Sequence, residues 1–575
     1  MENNEKLAKI FNRMADALEF LGEIPFKIQA YRKAARTLEN LDKDISEIDD
    51  FQKLPGIGEG IAKKIKEFLE TGKISKAEEI FSKIPEGILD LMQIPNLGPK
   101  TLALLNKEFG VRNLETLKQA LVNPRIKTLF GMGEKKVENI KKGIELFLKS
   151  KERYLLGEVY PIVNSLVSFL KENKNALMVI PAGSFRRFKE TVGDVDILVT
   201  TKTEVDLSEY ITQFPKIEKI YAMGPTKTSF VLKNGLQVDI RVIPSESMGA
   251  AMQYFTGSKQ HNIHLRTIAK NLGLKISEYG VFKGDKFIAG RTEEEVYGTL
   301  KMQWIPPEIR EDEGEIELAL KGEIPELIEF SDIKGDLHIH SDYSDGQSKI
   351  FEIKEEAKKR GYKYVAICDH SQSAKYAKGL NIERLMKKKE EIKKLNEKGD
   401  YPYLVFGAEV DILPDGKLDY PDEVLKEIDY VVVSIHTGFK KDNTERIIKA
   451  FENPYVHAFS HPTGRLIGSR EPYEANWDEV FKKAGEKNIW MEINSYYERL
   501  DLSPPLIKKA KKYGIKFVIG TDAHHYNQMW MIELGVGTAR RGWLTAQDVI
   551  NTRDLEELLE LLKAKKLNKN YLKIQ

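Results

Sequence analysis

Thiols are nearly absent from this chain. Its 575 residues hold one cysteine, Cys368, which excludes an internal disulfide and fits a reducing cytoplasm. Long apolar runs are missing as well: nowhere do about 18 apolar residues follow one another, the length that spans a bilayer. The opening MENNEKLAKIF is charged where a secretory signal carries an apolar core. Net charge is small, at +2, but the balance conceals local asymmetry, since residues 125–153 hold nine Lys/Arg against four Glu. Such a stripe suits a polyanionic partner, although alone it also fits a solvated helix face. Histidine is scarce before residue 338, with eight of the ten lying beyond it or at it. The length exceeds one hydrophobic core and predicts roughly three to five domains.

What is there centres on GSFRRFKETVGDVDILV, Gly183 to Val199. A Gly-Ser turn and two arginines lead into a strand-like run. Alternation along a strand puts Asp194 and Asp196 on one side while Val195 and Ile197 enter the core. A third carboxylate, Asp239, lies in the strand-like run LQVDIRVI. Three carboxylates on adjacent strands, beside a basic pair, suit two-metal phosphoryl or nucleotidyl transfer. Downstream follows AMQYFTGSKQHNIHLRTIA, residues 251–269.

Both blocks, read without gaps, resemble the nucleotidyltransferase core of the family X DNA polymerases, the polymerase beta group. The resemblance implies that Asp194 and Asp196 ligate both metals and Asp239 the one at the primer. It places Gly183, Ser184, Arg187 and Gly193 around the triphosphate and Tyr254, Phe255 and Gly257 along the sugar. Asn262 and Arg266 would monitor the minor-groove side of the new base pair. His261 and His264, without carboxylate or cysteine company in the sequence, read as DNA-facing or packing residues. The acidic, proline-interrupted stretch 311–332 reads as a linker.

Before this core the chain reads as helical. Apolar positions recur at helical spacing from Leu7 to Leu21, and a second helix, FKIQAYRKAARTLENL, puts Lys27 and Tyr31 one turn apart. Three hairpins follow, at LPGIGEGIAKKIKEFLETGK, IPNLGPKTLALL and LFGMGEKKVENI. Their glycines (Gly56, Gly58, Gly98, Gly131 and Gly133) allow close approach, and each next helix offers free N–H groups to a DNA phosphate. The first hairpin resembles the lyase helix of the polymerase beta repair enzymes. By that likeness Lys64 is the Schiff-base lysine, and Lys27 and Tyr31 belong to a 5′-phosphate pocket. Lys63 and Lys66 are expected to depress its pKa. Where the animal enzymes carry another phosphate-binding lysine, this chain has Gly60.

The C-terminal histidines arrive in bursts, each after an apolar run: GDLHIHSDYSDG, VAICDHS, FGAEVDI, VVVSIHTG, HAFSHP, MEINS and VIGTDAHH. Strands that end in ligands and alternate with helices suggest a βα barrel with its site at the C-terminal strand ends. The candidate metal ligands are His338, His340, Asp345, His370, Glu409, His436, His461, Asp522 and His524. Together they resemble the PHP domain, the polymerase-and-histidinol-phosphatase superfamily, whose members hydrolyse phosphoesters with two or three metals. Mixed imidazole and carboxylate suits zinc, manganese or iron over magnesium alone. His457 and His525 fall outside the set, and Glu492 and Asn494 face the same strand end without an assigned role.

The sequence therefore predicts a multidomain α+β and α/β chain resembling a family X polymerase fused to a PHP domain. The expected boundaries are helix-hairpin-helix domains at 1–85 and 86–150, a palm at 151–245, a thumb at 246–315 and a PHP barrel at 333–575. The resemblance implies short-gap filling in DNA repair with Mg²⁺ or Mn²⁺ at the palm. It also implies metal-dependent trimming of 3′ ends with Zn²⁺ or Mn²⁺ at the barrel, or abasic-site incision. Primed or gapped DNA and dNTPs are the expected partners of a monomer. A small-molecule phosphoesterase with an inert polymerase-like scaffold stays open as the alternative.

Overall fold

The computed structural model describes residues 2–39, 41, 44–85, 87–92, 94, 97–150, 153–202 and 205–566. Pro95 and Asn96 of the second hairpin, and Lys151 and Glu152 in the basic stretch, lie outside the described residues. The chain divides into two compact units, Met1–Lys151 with the short segment Gly468–Glu471, and the remainder.

The first unit is helical. In the helix Glu2–Phe20 the apolar residues Leu7, Phe11, Met14 and Leu18 share one face and are buried, as their spacing requires. Pro25 opens the helix Pro25–Glu39, the position where a missing N–H costs nothing. All three hairpins use one device. Ile57 N–H donates to Leu54 O at 3.1 Å, Leu97 to Ile94 at 3.1 Å and Met132 to Leu129 at 3.0 Å. Each donor side chain is buried and anchors the turn. Gly58 and Gly98 cap the helices Glu59–Thr71 and Pro99–Phe109 without a side-chain hydrogen bond.

The second unit begins with a five-stranded mixed sheet in the order Ala176–Pro181, Asp194–Thr201, Gln237–Val242, Lys227–Leu232 and Ile217–Ala222. The helix Leu156–Lys171 lies in its core cluster. Asp194–Thr201 and Gln237–Val242 are parallel, with Asp196 opposite Asp239 in register. Next come the helices Met248–Thr256 and Lys259–Asn271 and a three-stranded sheet over residues 275–289. The two parts are clamped by Glu293, which takes Arg186 at 2.9 Å and Arg310 at 2.6 and 3.0 Å.

The expected linker at 311–332 is not an open one. It contains the helix Glu315–Lys321, with Glu315 and Ile316 buried. Its acidic residues have partners distant in sequence: Glu311 lies 3.1 Å from both Arg187 and Arg541, and Glu315 2.7 Å from His261 Nδ1. The sequence showed the charges without the cations that balance them. His261 and His264 thus do have carboxylate company, since His264 Nδ1 lies 2.8 Å from Asp312.

The C-terminal strands form a seven-stranded parallel sheet in sequence order, from Gly335–Ile339 to Phe517–Gly520. It curls so that its ends meet: Asp522 N–H donates to His338 O at 2.9 Å and His340 N–H to Ala523 O at 2.9 Å. After the last strand, the helix Ile532–Arg541 leaves the barrel for the mixed sheet. Leu500, Met531 and Leu534 join the same core cluster as Leu156, Val159 and Val163. Trp530 stacks on Tyr160 at 5.8 Å, and Tyr160 Oη donates to Glu533 at 2.6 Å. A Cβ on Gly537 would meet Phe188 Cδ1 at 2.0 Å, so only glycine allows this approach.

Burial alone would raise the pKa of Glu293, but Arg310 and Arg186 hold it far below the usual carboxylate range. A depressed folded pKa gives stability that is present above the unfolded value, about 4.3, and lost as pH falls toward the folded one. Glu293→Gln is expected to cost about 3 kcal/mol at pH 7 by leaving buried Arg310 and partly buried Arg186 under-compensated. It should also flatten the stability loss below about pH 4.3. Urea unfolding of both proteins across that range measures the two effects.

Candidate active sites

The first centre lies on the mixed sheet. Asp194 is exposed and Asp196 partly buried on the same strand face, while Val195 and Ile197 are in the core. Arg241 stands between the facing carboxylates, with Nε 3.1 Å from Asp196 Oδ1 and Nη2 3.4 Å from Asp239 Oδ2. Lys227 Nζ is 2.7 Å from Asp239 Oδ2. Burial pushes Asp196 up despite Arg241. Burial pushes Asp239 the same way, but Lys227, Ser229 and Arg241 outweigh it and hold the carboxyl down. Asp239 Oδ1 is buried and makes no hydrogen bond, a free acceptor suited to a cation.

Beside the carboxylates two turns meet. Gly183 opens the short helix Gly183–Arg186, which also carries Ser184. Arg187 donates to Thr256 O and lies 3.1 Å from Glu311, and a Cβ on Gly257 would stand 3.2 Å from its Nη1. Gly193 immediately precedes the strand Asp194–Thr201. Phe255 packs edge-on against Tyr254 at 5.2 Å and under the Arg241 guanidinium at 4.6 Å. Asn262 donates to Tyr254 O at 2.8 Å, and Arg266 donates to Asn262 O at 3.2 Å. All nine sequence candidates for the nucleotide thus fall on the stretch 183–193, the end of the helix Met248–Thr256 with its C-cap Gly257, or the helix that follows it.

The second centre is at the C-terminal strand ends of the barrel. Three groups have ligand atoms within 4.8 Å of one another: His340, Asp345, His370 and His524; His338, His340 and Asp522; His370, Glu409 and His436. His461 Nε2, 2.8 Å from Glu409 Oε1, completes the nine. His340 Nδ1, His461 Nδ1 and Glu409 Oε2 are buried without a hydrogen bond. Buried, unsatisfied donor atoms of mixed imidazole and carboxylate chemistry fit transition-metal ions.

Burial would depress the His338 imidazole, but Glu492, Asp522 and Glu409 carry it up to about 10. His436 is raised to about 10 against the same burial, chiefly by Glu409 and Asp411, and His524 to about 9 by Asp345 and Asp522. His340 goes the other way, to about 4, under burial and beside the His524 and His370 imidazoles.

A frame of further carboxylates holds these imidazoles. Glu492 lies 2.6 Å from His338 Nδ1 and accepts from Ser460 Oγ at 2.8 Å and His461 N–H at 2.7 Å. Asn494 donates to Glu492 and to Asp522, each at 3.1 Å, which settles where these two unassigned residues stand. Asp411 lies 2.6 Å from His436 Nδ1. Asp369 accepts from Ser341 and Ser344, pinning the loop before Asp345, and pairs with buried Lys388 at 3.1 Å. Strand alternation carried a signal for two of the missed residues, because Asp411 is two after Glu409 and Arg241 two after Asp239. His457 is in the frame of the fold instead, with Nδ1 accepting from Val431 N–H and Nε2 near Leu562 O. His525 caps the turn Tyr526–Met531.

In the first unit a cavity of about 1120 Å³ is lined by Lys27, Tyr31, Lys33, Lys64, Lys76 and Lys83 among others. Lys64 Nζ donates to Gly60 O at 2.8 Å and sits 5.8 Å from the Tyr31 ring centroid. Its pKa is lowered, but by burial and then Lys76, not by the expected Lys63 and Lys66. Those two point to Glu59 at 2.8 Å and Glu70 at 3.9 Å. Successive helix residues face different ways, so sequence adjacency misled here.

Models of a helix-hairpin-helix domain (2–74), a SAM-like helix-hairpin-helix tandem (88–145), the DNA polymerase beta palm (157–268), the DNA polymerase beta thumb (251–311) and the PHP domain (336–496) all match. Over 568 residues the chain is 39% identical to the DNA polymerase/3′-5′ exonuclease PolX of Bacillus subtilis (strain 168), covering 98% of this chain and 99% of that one. It is 28% identical over 343 residues to DNA polymerase lambda of Rattus norvegicus, covering 54% and 55%. A probable phosphatase of Thermoanaerobacter sp. (strain X514) is 30% identical over 246 residues, covering 40% of this chain and 95% of that one. Among the described residues no helix is long and apolar enough to cross a membrane.

Because Glu492 fixes the orientation of His338, Glu492→Gln is expected to weaken metal binding at the barrel by about 10–100-fold. Competition with a chromogenic chelator on the purified chain gives the affinity. An unchanged value would mean that Ser460 and the strand backbone suffice to hold the imidazole.

Proposed function

We propose a division of labour between the two centres from one premise: this chain belongs to the family X DNA polymerases that carry a PHP domain. It extends a primer across short gaps in DNA at the mixed sheet and trims 3′ ends hydrolytically at the barrel. The observation that carries this is the presence of both sets of groups in one chain: Asp196 facing Asp239 in register, and nine converging imidazoles and carboxylates.

In synthesis the primer 3′-hydroxyl attacks the α-phosphate of a dNTP and pyrophosphate leaves. Asp194, Asp196 and Asp239 would hold the ions of the palm, and the nine barrel residues those of the PHP domain. When bound, such ions acidify the attacking hydroxyl or water and offset phosphate charge. Arg187, Ser184 and the backbone at Gly183 and Gly193 grip the triphosphate. Tyr254, Phe255 and Gly257 border the sugar, and Asn262 and Arg266 face the minor-groove side of the nascent pair. Lys227 and Arg241 favour the charged form of Asp239, and Arg241 offsets part of the burial that raises Asp196. Mg²⁺ or Mn²⁺ suits the all-carboxylate palm and Zn²⁺ or Mn²⁺ the imidazole-rich barrel.

The helix-hairpin-helix domains, 1–85 and 86–150, bind DNA backbone through Gly56, Gly58, Gly98, Gly131 and Gly133. The lysine cavity at Lys27 and Tyr31 takes the 5′-phosphate of a gap. Lys64, its pKa lowered by burial and Lys76, is the candidate Schiff-base nucleophile for a 5′-deoxyribose phosphate. The working form is a cytoplasmic monomer engaged in base-excision repair, with the palm at 151–245, the thumb at 246–315 and the barrel at 333–575. Kinship with probable phosphatases supports one variation, removal of a 3′ phosphate at the same barrel centre.

Two variants separate the centres. Asp239→Ala should abolish primer extension on gapped duplex and leave 3′ trimming at its wild-type rate. The double change His338→Ala/His340→Ala should do the reverse. Extension by the first variant, or trimming by the second, overturns the respective assignment. For Lys64, borohydride should trap a covalent adduct with a 5′-deoxyribose-phosphate end in the wild type and not in Lys64→Ala. Trapping that survives the substitution moves the chemistry to another lysine.

A further inference from the structure

The loop 371–380 follows His370 out of the barrel and supplies none of the nine candidate ligands, yet it stands at their mouth. Its Tyr376 is 69% exposed. The ring centroid lies 6.3 Å from that of His370 and 6.2 Å from that of His436. An aromatic ring left in water beside a cluster of buried polar groups needs a reason, because most large rings find burial elsewhere.

The loop is held firmly from several sides. Ser373 Oγ donates to Asp411 at 2.5 Å, the same side chain that orients His436. Ser373 N–H donates to Asp419 at 2.6 Å. Leu380 N–H closes the loop on His370 O at 2.8 Å, and Arg384 donates to Lys378 O at 2.8 Å. Gly379 is required for the closure, since a Cβ there would meet Ser371 O at 1.8 Å. Tyr376 is therefore presented on a fixed platform, and little ordering entropy remains to be lost when a ligand covers it. Lys375 and Lys378 flank it, both exposed and, among the described residues, neither in an ion pair. An exposed ring between free cations is the chemistry that recognises single-stranded nucleic acid: the ring takes a base face and the lysines take phosphates.

We propose that Tyr376 stacks on the terminal nucleobase of a DNA 3′ end whose last phosphodiester lies at the barrel centre, with Lys375 and Lys378 on neighbouring phosphates. The proposal rests on the reading of the barrel as a 3′-end hydrolase and adds what selects its substrate. A base is one sugar away from its own 5′-phosphate, and Tyr376 is one ring beyond two of the candidate ligands. Stacking tolerates any base, so trimming is indifferent to sequence but prefers unpaired ends, whose last base is free to leave the helix. A small phosphoester has no base to offer and meets only the centre.

The full-length, metal-loaded protein tests this. Tyr376→Ala is expected to raise KM for a single-stranded 3′ end by roughly tenfold with kcat little changed. Hydrolysis of bis(p-nitrophenyl) phosphate and bound metal should stay at wild-type values, and Tyr376→Phe should keep the wild-type KM. An oligonucleotide ending in 2-aminopurine, joined through a hydrolysis-resistant phosphorothioate, should lose fluorescence on binding the wild type and the Phe variant but not the Ala variant. An unchanged KM and unchanged quenching in Tyr376→Ala overturn the proposal. So does a matching loss on the small ester, which marks a structural role, or a loss in Tyr376→Phe, which transfers the effect to the hydroxyl. If the wild type hydrolyses the small ester but leaves 3′ ends intact, the 3′-end reading fails by itself, and quenching still decides whether the ring stacks.

Discussion

The closure of the barrel is the constraint on which the C-terminal half depends. Two backbone hydrogen bonds, from Asp522 N–H to His338 O and from His340 N–H to Ala523 O, tie the last strand end to the first. These residues are separated by nearly the whole domain in sequence, so the loop-closure entropy is met only when the intervening strands have formed. With closure, His338, His340, Asp522 and His524 come to one place. Without it, the two groups that contain His340 lose members, and only His370, Glu409 and His436, carried by three neighbouring strands, keep their full set.

Closure also aims the chain that follows. Leaving the last strand, the segment from Tyr526 to Arg541 carries Trp530, Met531, Leu534 and Gly537 onto the mixed sheet, where they meet Tyr160, Leu156 and Phe188. Two domains that differ in fold and chemistry thus share a core cluster. That continuity is why the large second unit reaches from Glu152 into the C-terminal residues without a break between sheet and barrel. Arg540 adds a buried ion pair to Glu308 at 2.9 Å, and such pairs fix orientation more than they add stability.

Much of the fold was legible because strand and helix periodicities write themselves into apolar spacing. Val195 and Ile197 had to be inside if Asp194 and Asp196 were together, and the bursts of histidine marked strand ends. The three hairpins were visible from their glycines, though not the shared hydrogen bond that makes them alike. The sequence was silent wherever a charge is balanced from far away. Glu311 and Glu315 looked like an acidic linker because Arg187, Arg541 and His261 come from other elements. Lys64 was expected to feel its sequence neighbours, but Lys76, from the next helix, is the cation that reaches it. Glu492 resisted assignment for the same reason, as its meaning lies in His338, which is 154 residues away.

Glu311 illustrates a thermodynamic consequence. One carboxylate oxygen is approached by Arg187 and Arg541, each at 3.1 Å, and by Lys189 at 3.4 Å. Arg187 is also the side chain proposed above to grip the triphosphate. Carboxylate and phosphate are therefore rival anions for one guanidinium, and the apparent affinity for nucleotide is the intrinsic affinity multiplied by the fraction of molecules in which Arg187 is released. The two other cations bias that fraction toward release, because they leave Glu311 neutralised when Arg187 departs. One of them, Arg541, belongs to the barrel half, so the hydrolytic domain enters the binding equilibrium of the synthetic one without touching its ligand.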